Sequence, residues 1–179
     1  VVYTKQFGKK AYITKATSQL MRDLGSIPSP NNCFLLNIGL ETLPLRMERH
    51  CSNAQKTAEF LASHEKVSKV IYPGLPGDKY HALAEKYLPN GSCGVISFEL
   101  EGGREAAVRF MDSLELANIC THVAASKTMV LHPASHTHRQ MNDEQLREAG
   151  VSPGMIRLSV GIEHIDDILA DLEKALKNA

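Results

Sequence analysis

Residues 155–163, Met-Ile-Arg-Leu-Ser-Val-Gly-Ile-Glu, constrain the fold of this chain more than any other stretch. Ile156, Leu158 and Val160 alternate with Arg157 and Ser159, a period of two that buries three apolar side chains on one face of a strand and turns the arginine to the other. Such a strand requires a sheet with one covered face. Shortly after it, Ile165, Ile168, Leu169, Leu172 and Leu176 recur at helical spacing, with Asp166 and Asp167 where carboxylates stabilise a helix N-terminus. A guanidinium fixed on a strand grips a carboxylate through two parallel hydrogen bonds, a geometry that lysine does not supply. An arginine on the solvated face of a half-exposed sheet accounts for the same pattern.

Upstream, helical signals come first. Apolar residues between Ala11 and Leu24 follow helical spacing and stop at Gly25, and Ile27-Pro28-Ser29-Pro30 is a rigid break. A long helix is expected to start at Asn31 or Asn32, both good caps, and to carry Phe34, Leu35, Ile38, Leu43, Met47, Ala54, Ala58 and Leu61. Pro44 removes a backbone donor within it, which predicts a kink or two abutting helices. From Val67 onward, strands and helices alternate. The spacing predicts strands at 67–72, 95–100, 119–123 and 156–160, and helices at 80–87, 106–114 and 143–149, the last capped by Asn142. A helical arm followed by this alternation argues for an α/β sandwich with helices on one face of a small sheet.

Twenty basic and twenty acidic side chains cancel, which removes any electrostatic case for nucleic acid or an anionic membrane. No apolar run approaches the roughly 20 residues of a membrane helix. Cys33, Cys51, Cys93 and Cys120 are widely spaced, and the expectation is reduced, mostly buried thiols in a cytoplasmic protein. The start, Val1-Val2-Tyr3-Thr4, has neither an initiator methionine nor a signal-peptide pattern, so a trimmed start is expected.

His132, His136 and His138 place three imidazoles within seven residues, a spacing open to zinc or nickel. Pro133 prevents a regular helix across them and no neighbouring carboxylate or cysteine completes a shell, so no metal site is assigned. Lys127 stands in a small-residue segment, Ala124-Ala125-Ser126-Lys127-Thr128, but neither a phosphate cradle nor a reason for a lowered pKa accompanies it. Arg46, Glu48, Arg49 and His50 on one helix read as scaffold, with paired charges worth about 0.2 to 0.5 kcal/mol.

Four segments appear together and in order: Gly39-Leu-Glu-Thr-Leu43, Leu45-Arg-Met-Glu-Arg-His50, Leu131-His-Pro-Ala-Ser-His-Thr-His138, and the run from Arg157 to Leu176. With them the chain, from about Val2 to Leu176, resembles the pyridoxal-phosphate enzymes of cysteine and methionine metabolism, nearest to their O-acetylhomoserine sulfhydrylase members. The resemblance implies the C-terminal domain of the aspartate-aminotransferase fold type: a small, mostly antiparallel sheet with helices on one face, preceded by a long helical arm. It divides the chain into residues 1–62, an arm linking to a cofactor domain, and residues 63–179, a substrate domain. The family's cofactor lysine lies in a Ser-x-Thr-Lys segment of an N-terminal portion that this sequence lacks, so the resemblance places no catalytic or cofactor-binding residue here.

What the resemblance implies further is γ-replacement on a homoserine ester. Acetate leaves, sulfide adds to give homocysteine, and pyridoxal phosphate serves as electron sink in a cytoplasmic homotetramer. A related γ-synthase or γ-lyase, or a non-catalytic interaction domain, are the alternatives. Arg157 would fix the substrate's α-carboxylate, assisted by His122 and Val123, and the loop of His132 and His138 would lie near the mouth of the site. Relatives commonly carry Asn-Val-Gly-Asp-Ala-Lys where this chain has His122-Val-Ala-Ala-Ser-Lys127. Backbone amides at 122 and 123 serve regardless of side chain, since any residue but proline supplies one.

Overall fold

A computed structural model describes residues 2–179. The chain divides into two compact units, Val1–Leu43 and Pro44–Ala179. In the first, helix begins at once: α1 (Val2–Phe7), a 3-10 turn, α2 (Ala11–Lys15), a π-helical stretch (Ala16–Met21) and α3 (Arg22–Leu24) follow one another without a loop. Helix was expected only from Ala11. Gly25 ends it with φ of +65°, a left-handed turn that glycine adopts without a Cβ clash. The next helix, α4 (Pro30–Glu41), is capped by Ser29, whose hydroxyl accepts from Asn32 N at 3.2 Å, with Pro30 at the first helical position. The expected Asn31 or Asn32 cap gives way to this serine because Pro30 lacks the donor that a first turn leaves unpaired anyway.

Helix breaks at Thr42 and resumes as α5 (Leu43–Ser63), the interruption that Pro44 foretold. The second unit is a five-stranded sheet of β1 (Val67–Ile71), β2 (Val95–Leu100), β3 (Asn118–Ile119), β4 (Met129–Leu131) and β5 (Met155–Ser159), in the order β1-β2-β5-β4-β3. Among the described residues only β3 and β4 run parallel; the other pairs are antiparallel. The Arg157 strand is therefore central: Arg157 stands opposite Ser97 on one side and Leu131 on the other. Strand β4 replaces part of what the sequence suggested was loop, and the expected strand at 119–123 shrinks to Asn118–Ile119. Cys120 N still donates to Val130 O at 3.0 Å, after which the chain turns out of the sheet.

Helices α6 (His81–Tyr87), α7 (Gly103–Asp112), α8 (Asp143–Glu148) and α9 (Ile165–Asn178) complete the unit. One core joins Ala54, Ala58 and Leu61 of α5, Phe110 and Met111 of α7, and Ile168, Leu172 and Leu176 of α9 to Ile96, Phe98, Ile156 and Leu158 of the sheet and to Val160 just past β5. Phe98 and Phe110 meet edge to face at 5.6 Å between ring centres, the arrangement that aromatic quadrupoles favour. Three helices thus cover the face toward which Ile156, Leu158 and Val160 alternate. Asp171 of α9 anchors the chain beyond α7, its carboxylate accepting from Glu115 N at 2.8 Å and Ala117 N at 2.9 Å. Asn142 caps α8 in a reciprocal box with Gln145. The four cysteines are free, but Cys33 is exposed and the others only half-buried, short of the burial expected for them. Among the described residues no helix is long and apolar enough to cross a membrane.

Candidate functional site

The far face of β5 presents Arg157, and the chain that leaves β3 folds over it. Arg157 Nη2 donates to Thr121 O at 2.7 Å, while its Nε is buried without a hydrogen-bond partner. Arg157 is half-buried: its Nη2 bond lies at the surface and its Nε is enclosed. A buried N–H left unpaired costs about 1 to 3 kcal/mol. One bond to a carbonyl fixes its plane and leaves further donors of the fork for a ligand.

His122 and Val123 lie between two anchors on the same strand. Thr121 is tied to Arg157, and Ala124 N donates to Ser159 Oγ at 3.1 Å. The structure therefore brings Arg157, His122 and Val123 together at one junction, with His122 and Val123 exposed. Ala124 takes φ of +59°, the left-handed region, at the position where the related pattern carries glycine. A Cβ there costs on the order of 1 kcal/mol, and the anchors on either side hold the turn in place.

Beyond Ala124 the loop is clasped by the residues that follow β5. Ser126 O accepts from Ile162 N at 2.9 Å. Thr128 N donates to Glu163 Oε1 at 2.6 Å, Thr128 Oγ1 donates to Glu163 Oε2 at 2.9 Å, and the same hydroxyl accepts from Gly161 N at 3.0 Å. Helix α5 fixes the strand end from the core side. His50 Nδ1–H donates to Val160 O at 2.7 Å, and Asn53 Nδ2 donates to Gly161 O at 3.0 Å and Glu163 O at 2.9 Å. Sequence reasoning treated His50 as scaffold and passed over Asn53, Thr128 and Glu163. The signal for two of them was present: His50, Asn53 and Thr57 share the helical stripe of Ala54, Ala58 and Leu61, and polar residues on a core face must find partners.

The histidine loop has a different role. His132 is buried, donating from Nε2 to Pro153 O at 2.8 Å and accepting at Nδ1 from Ser135 Oγ at 2.8 Å. Burial pushes its pKa below the ordinary 6.5; the Pro153 carbonyl opposes that shift, and Arg104 and His136 add to it. It is a neutral bracket between β4 and the residues before β5. His136 Nδ1 donates to His132 O at 3.1 Å, and His138 Nδ1 pairs with Thr137 Oγ1 at 2.9 Å. Among the described residues no three His, Cys, Asp or Glu side chains converge on a point where a metal ion would fit. Lys127 is exposed at the outer edge of the clasped loop.

Known proteins match this arrangement over almost its whole length. Residues 3–177 match the family described as Cys/Met metabolism PLP-dependent enzyme. An O-acetyl-L-homoserine sulfhydrylase of Leptospira meyeri is 52% identical over 169 residues, covering 94% of this chain and 38% of the relative. A homocysteine synthase of Schizosaccharomyces pombe is 46% identical over 179 residues, covering 100% of this chain and 42% of the relative. Among solved structures, a putative O-acetylhomoserine (thiol)-lyase of Campylobacter jejuni is similar with a TM-score of 0.84 and 39% identity, over 96% of this chain and 40% of that one. That structure carries N'-pyridoxyl-lysine-5'-monophosphate at its own position 205. The chain spans about two-fifths of the length of these relatives, 38% and 42% for the first two.

Proposed function

Because the chain belongs to the Cys/Met metabolism PLP-dependent enzyme family, we propose that it is the C-terminal, substrate-gripping portion of an O-acetylhomoserine sulfhydrylase, which makes homocysteine from O-acetylhomoserine and sulfide. The observation that carries this reading is the guanidinium of Arg157: buried at Nε without a partner and oriented by the O of Thr121, which is next in chain to the exposed residues His122 and Val123. An α-carboxylate is the acceptor that such a fork fits. Held there, the amino acid keeps its Cα–H bond in one direction, and orientation of this kind removes a large part of a reaction barrier.

Pyridoxal phosphate, when bound, supplies an electron sink for the carbons next to the substrate's amine. The residues of this chain do not fit a cradle for it. Lys127 is exposed, and its neighbours Ser126 and Thr128 are bonded to Ile162, Gly161 and Glu163. The cofactor therefore belongs to the rest of the parent protein, and this chain acts on the substrate. Residues 1–62 are the arm toward the cofactor domain and residues 63–179 the substrate domain of a cytoplasmic homotetramer. Phe34, Leu35, Leu36, Ile38 and Leu40 of α4 are all exposed, an apolar face of the kind that partners cover.

Arg157→Lys in the full-length protein tests the anchor. Loss of a bidentate, charge-assisted pair costs about 1.5 to 3 kcal/mol, or roughly tenfold to a hundredfold in kcat/KM for O-acetylhomoserine. Pyridoxal phosphate content is expected to stay at the wild-type level. Full efficiency in the lysine variant overturns the anchor.

A further inference from the structure

Four points along residues 121–128 are bonded to residues 157–163, while Thr128 O accepts from Asn118 N at 3.0 Å within the β3–β4 pairing. Thr121 O takes Arg157, Ala124 N takes Ser159, Ser126 O takes Ile162, and Thr128 takes Gly161 and Glu163. The stretch that presents the guanidinium thus also sets the loop that carries the amides of His122 and Val123. Within this set Glu163 is distinctive. Both of its oxygens are engaged by one residue, Oε1 by the Thr128 amide at 2.6 Å and Oε2 by the Thr128 hydroxyl at 2.9 Å. The hydroxyl in turn accepts from Gly161 N at 3.0 Å, so its proton is directed at the carboxylate. Thr128 is 1% exposed, which keeps water from competing for these bonds. Asn53 holds the backbone on both sides of Ile162, at Gly161 O and Glu163 O, so the clasp is referred to helix α5 and the core.

We propose that Glu163 and Thr128 are a positioning pair that sets the spacing between the Arg157 guanidinium and the His122–Val123 amides, and so determines affinity for the amino-acid substrate's α-carboxylate. The proposal rests on the carboxylate-anchor reading of Arg157. Neither residue touches the substrate; both act through the loop. A carboxylate is required because Thr128 offers two donors to it. A carboxamide accepts at one end only and turns an N–H toward a hydroxyl that is already donating in that direction.

The test uses the full-length protein with Thr128→Val, Glu163→Gln, the pair combined, Thr128→Ser and Arg157→Lys. Steady-state rates are measured against O-acetylhomoserine and against sulfide, and pyridoxal phosphate is read by absorbance. Thr128→Val and Glu163→Gln are expected to raise KM for O-acetylhomoserine on the order of tenfold, the scale of one charge-assisted hydrogen bond. KM for sulfide, kcat and cofactor content are expected to stay within about twofold, since uniform binding is what is lost. The combined variant is expected to match the singles, because both break one clasp, and Thr128→Ser to restore wild-type KM. A merely structural pair would lower kcat and cofactor content together and leave KM alone. Unchanged KM in Thr128→Val and Glu163→Gln beside a raised KM in Arg157→Lys overturns the clasp alone; unchanged KM in all three overturns the anchor and the clasp with it. Should Glu163→Gln fail to accumulate folded, Thr128→Val keeps the amide–carboxylate bond and carries the test.

Discussion

Gly161→Ala is the single substitution for which the structure sets the largest effect from the smallest change. A Cβ at this position would stand 2.6 Å from Lys127 C and 2.6 Å from Ser126 O, and would also collide with Glu163 Oε2. The first two are backbone atoms, so no rotamer relieves the contact and the loop itself must move. Movement lengthens Ile162 N to Ser126 O, now 2.9 Å, and Gly161 N to Thr128 Oγ1, now 3.0 Å. Two to three hydrogen bonds at about 1 kcal/mol each, with about 1 to 3 kcal/mol for the overpacking, give a cost of about 3 to 6 kcal/mol. For a chain of this length each kcal/mol shifts Tm by about 2 to 4 °C, so the expected fall is roughly 6 to 24 °C. Thermal unfolding of the chain at one fixed concentration, followed by circular dichroism, measures it. Gly39→Ala is the control. Gly39 lies in α4 with nothing within 4 Å of its added Cβ, so the same change there should stabilise the helix by up to about 1 kcal/mol. A Gly161→Ala Tm within about 2 °C of wild type would mean that the loop does not rest on the strand end as described, and the packing argument would fall.

Two further outcomes follow from single buried groups. Asp171→Asn replaces one of two carboxylate acceptors with a donor facing a backbone N–H, and should lower stability by about 1.5 to 3 kcal/mol; an unchanged urea midpoint at unchanged slope would refute it. His132, with its pKa lowered by burial, is neutral when folded while the unfolded chain binds a proton near 6.5, so the stability it contributes is complete above 6.5 and is lost as pH falls from there toward the folded value. Its imidazole resonance should titrate with a midpoint below 6.5, and a midpoint at or above 6.5 would contradict this.

Strands β2 and β5 and helix α9 were legible because each carries its own periodicity. Ile96, Phe98 and Leu100 alternate over the bounds the structure shows, and α9 repeats its apolar residues through Leu176. Strand β4 was not legible. Three residues, Met129-Val130-Leu131, are too few to show a period, and their extended form comes from pairing with Ser159, Leu158 and Arg157. The cap of α4 was misplaced by two or three residues because asparagine and serine compete for that role, and the geometry of Pro30 decided between them.

The candidate site divides along the same line. Arg157 was visible because its strand announces which side chains face away from the core. The loop that completes the site was not, because its conformation is stored in bonds between residues far apart in sequence. Thr128 and Glu163 are 35 positions apart, and His50 and Val160 are 110 apart. No local propensity of Ala124 favours φ of +59°, so a reading of residues 119–123 as strand followed its β-branched side chains and went past the turn. What overrides local preference here is the number of anchors. Arg157, Ser159, Ile162 and Glu163 each hold one point of an eight-residue loop, and together they offset a strain on the order of 1 kcal/mol. The same arithmetic explains why glycine is not required at 124 in this chain: a clasp that fixes the loop at both ends leaves alanine no other conformation to relax into.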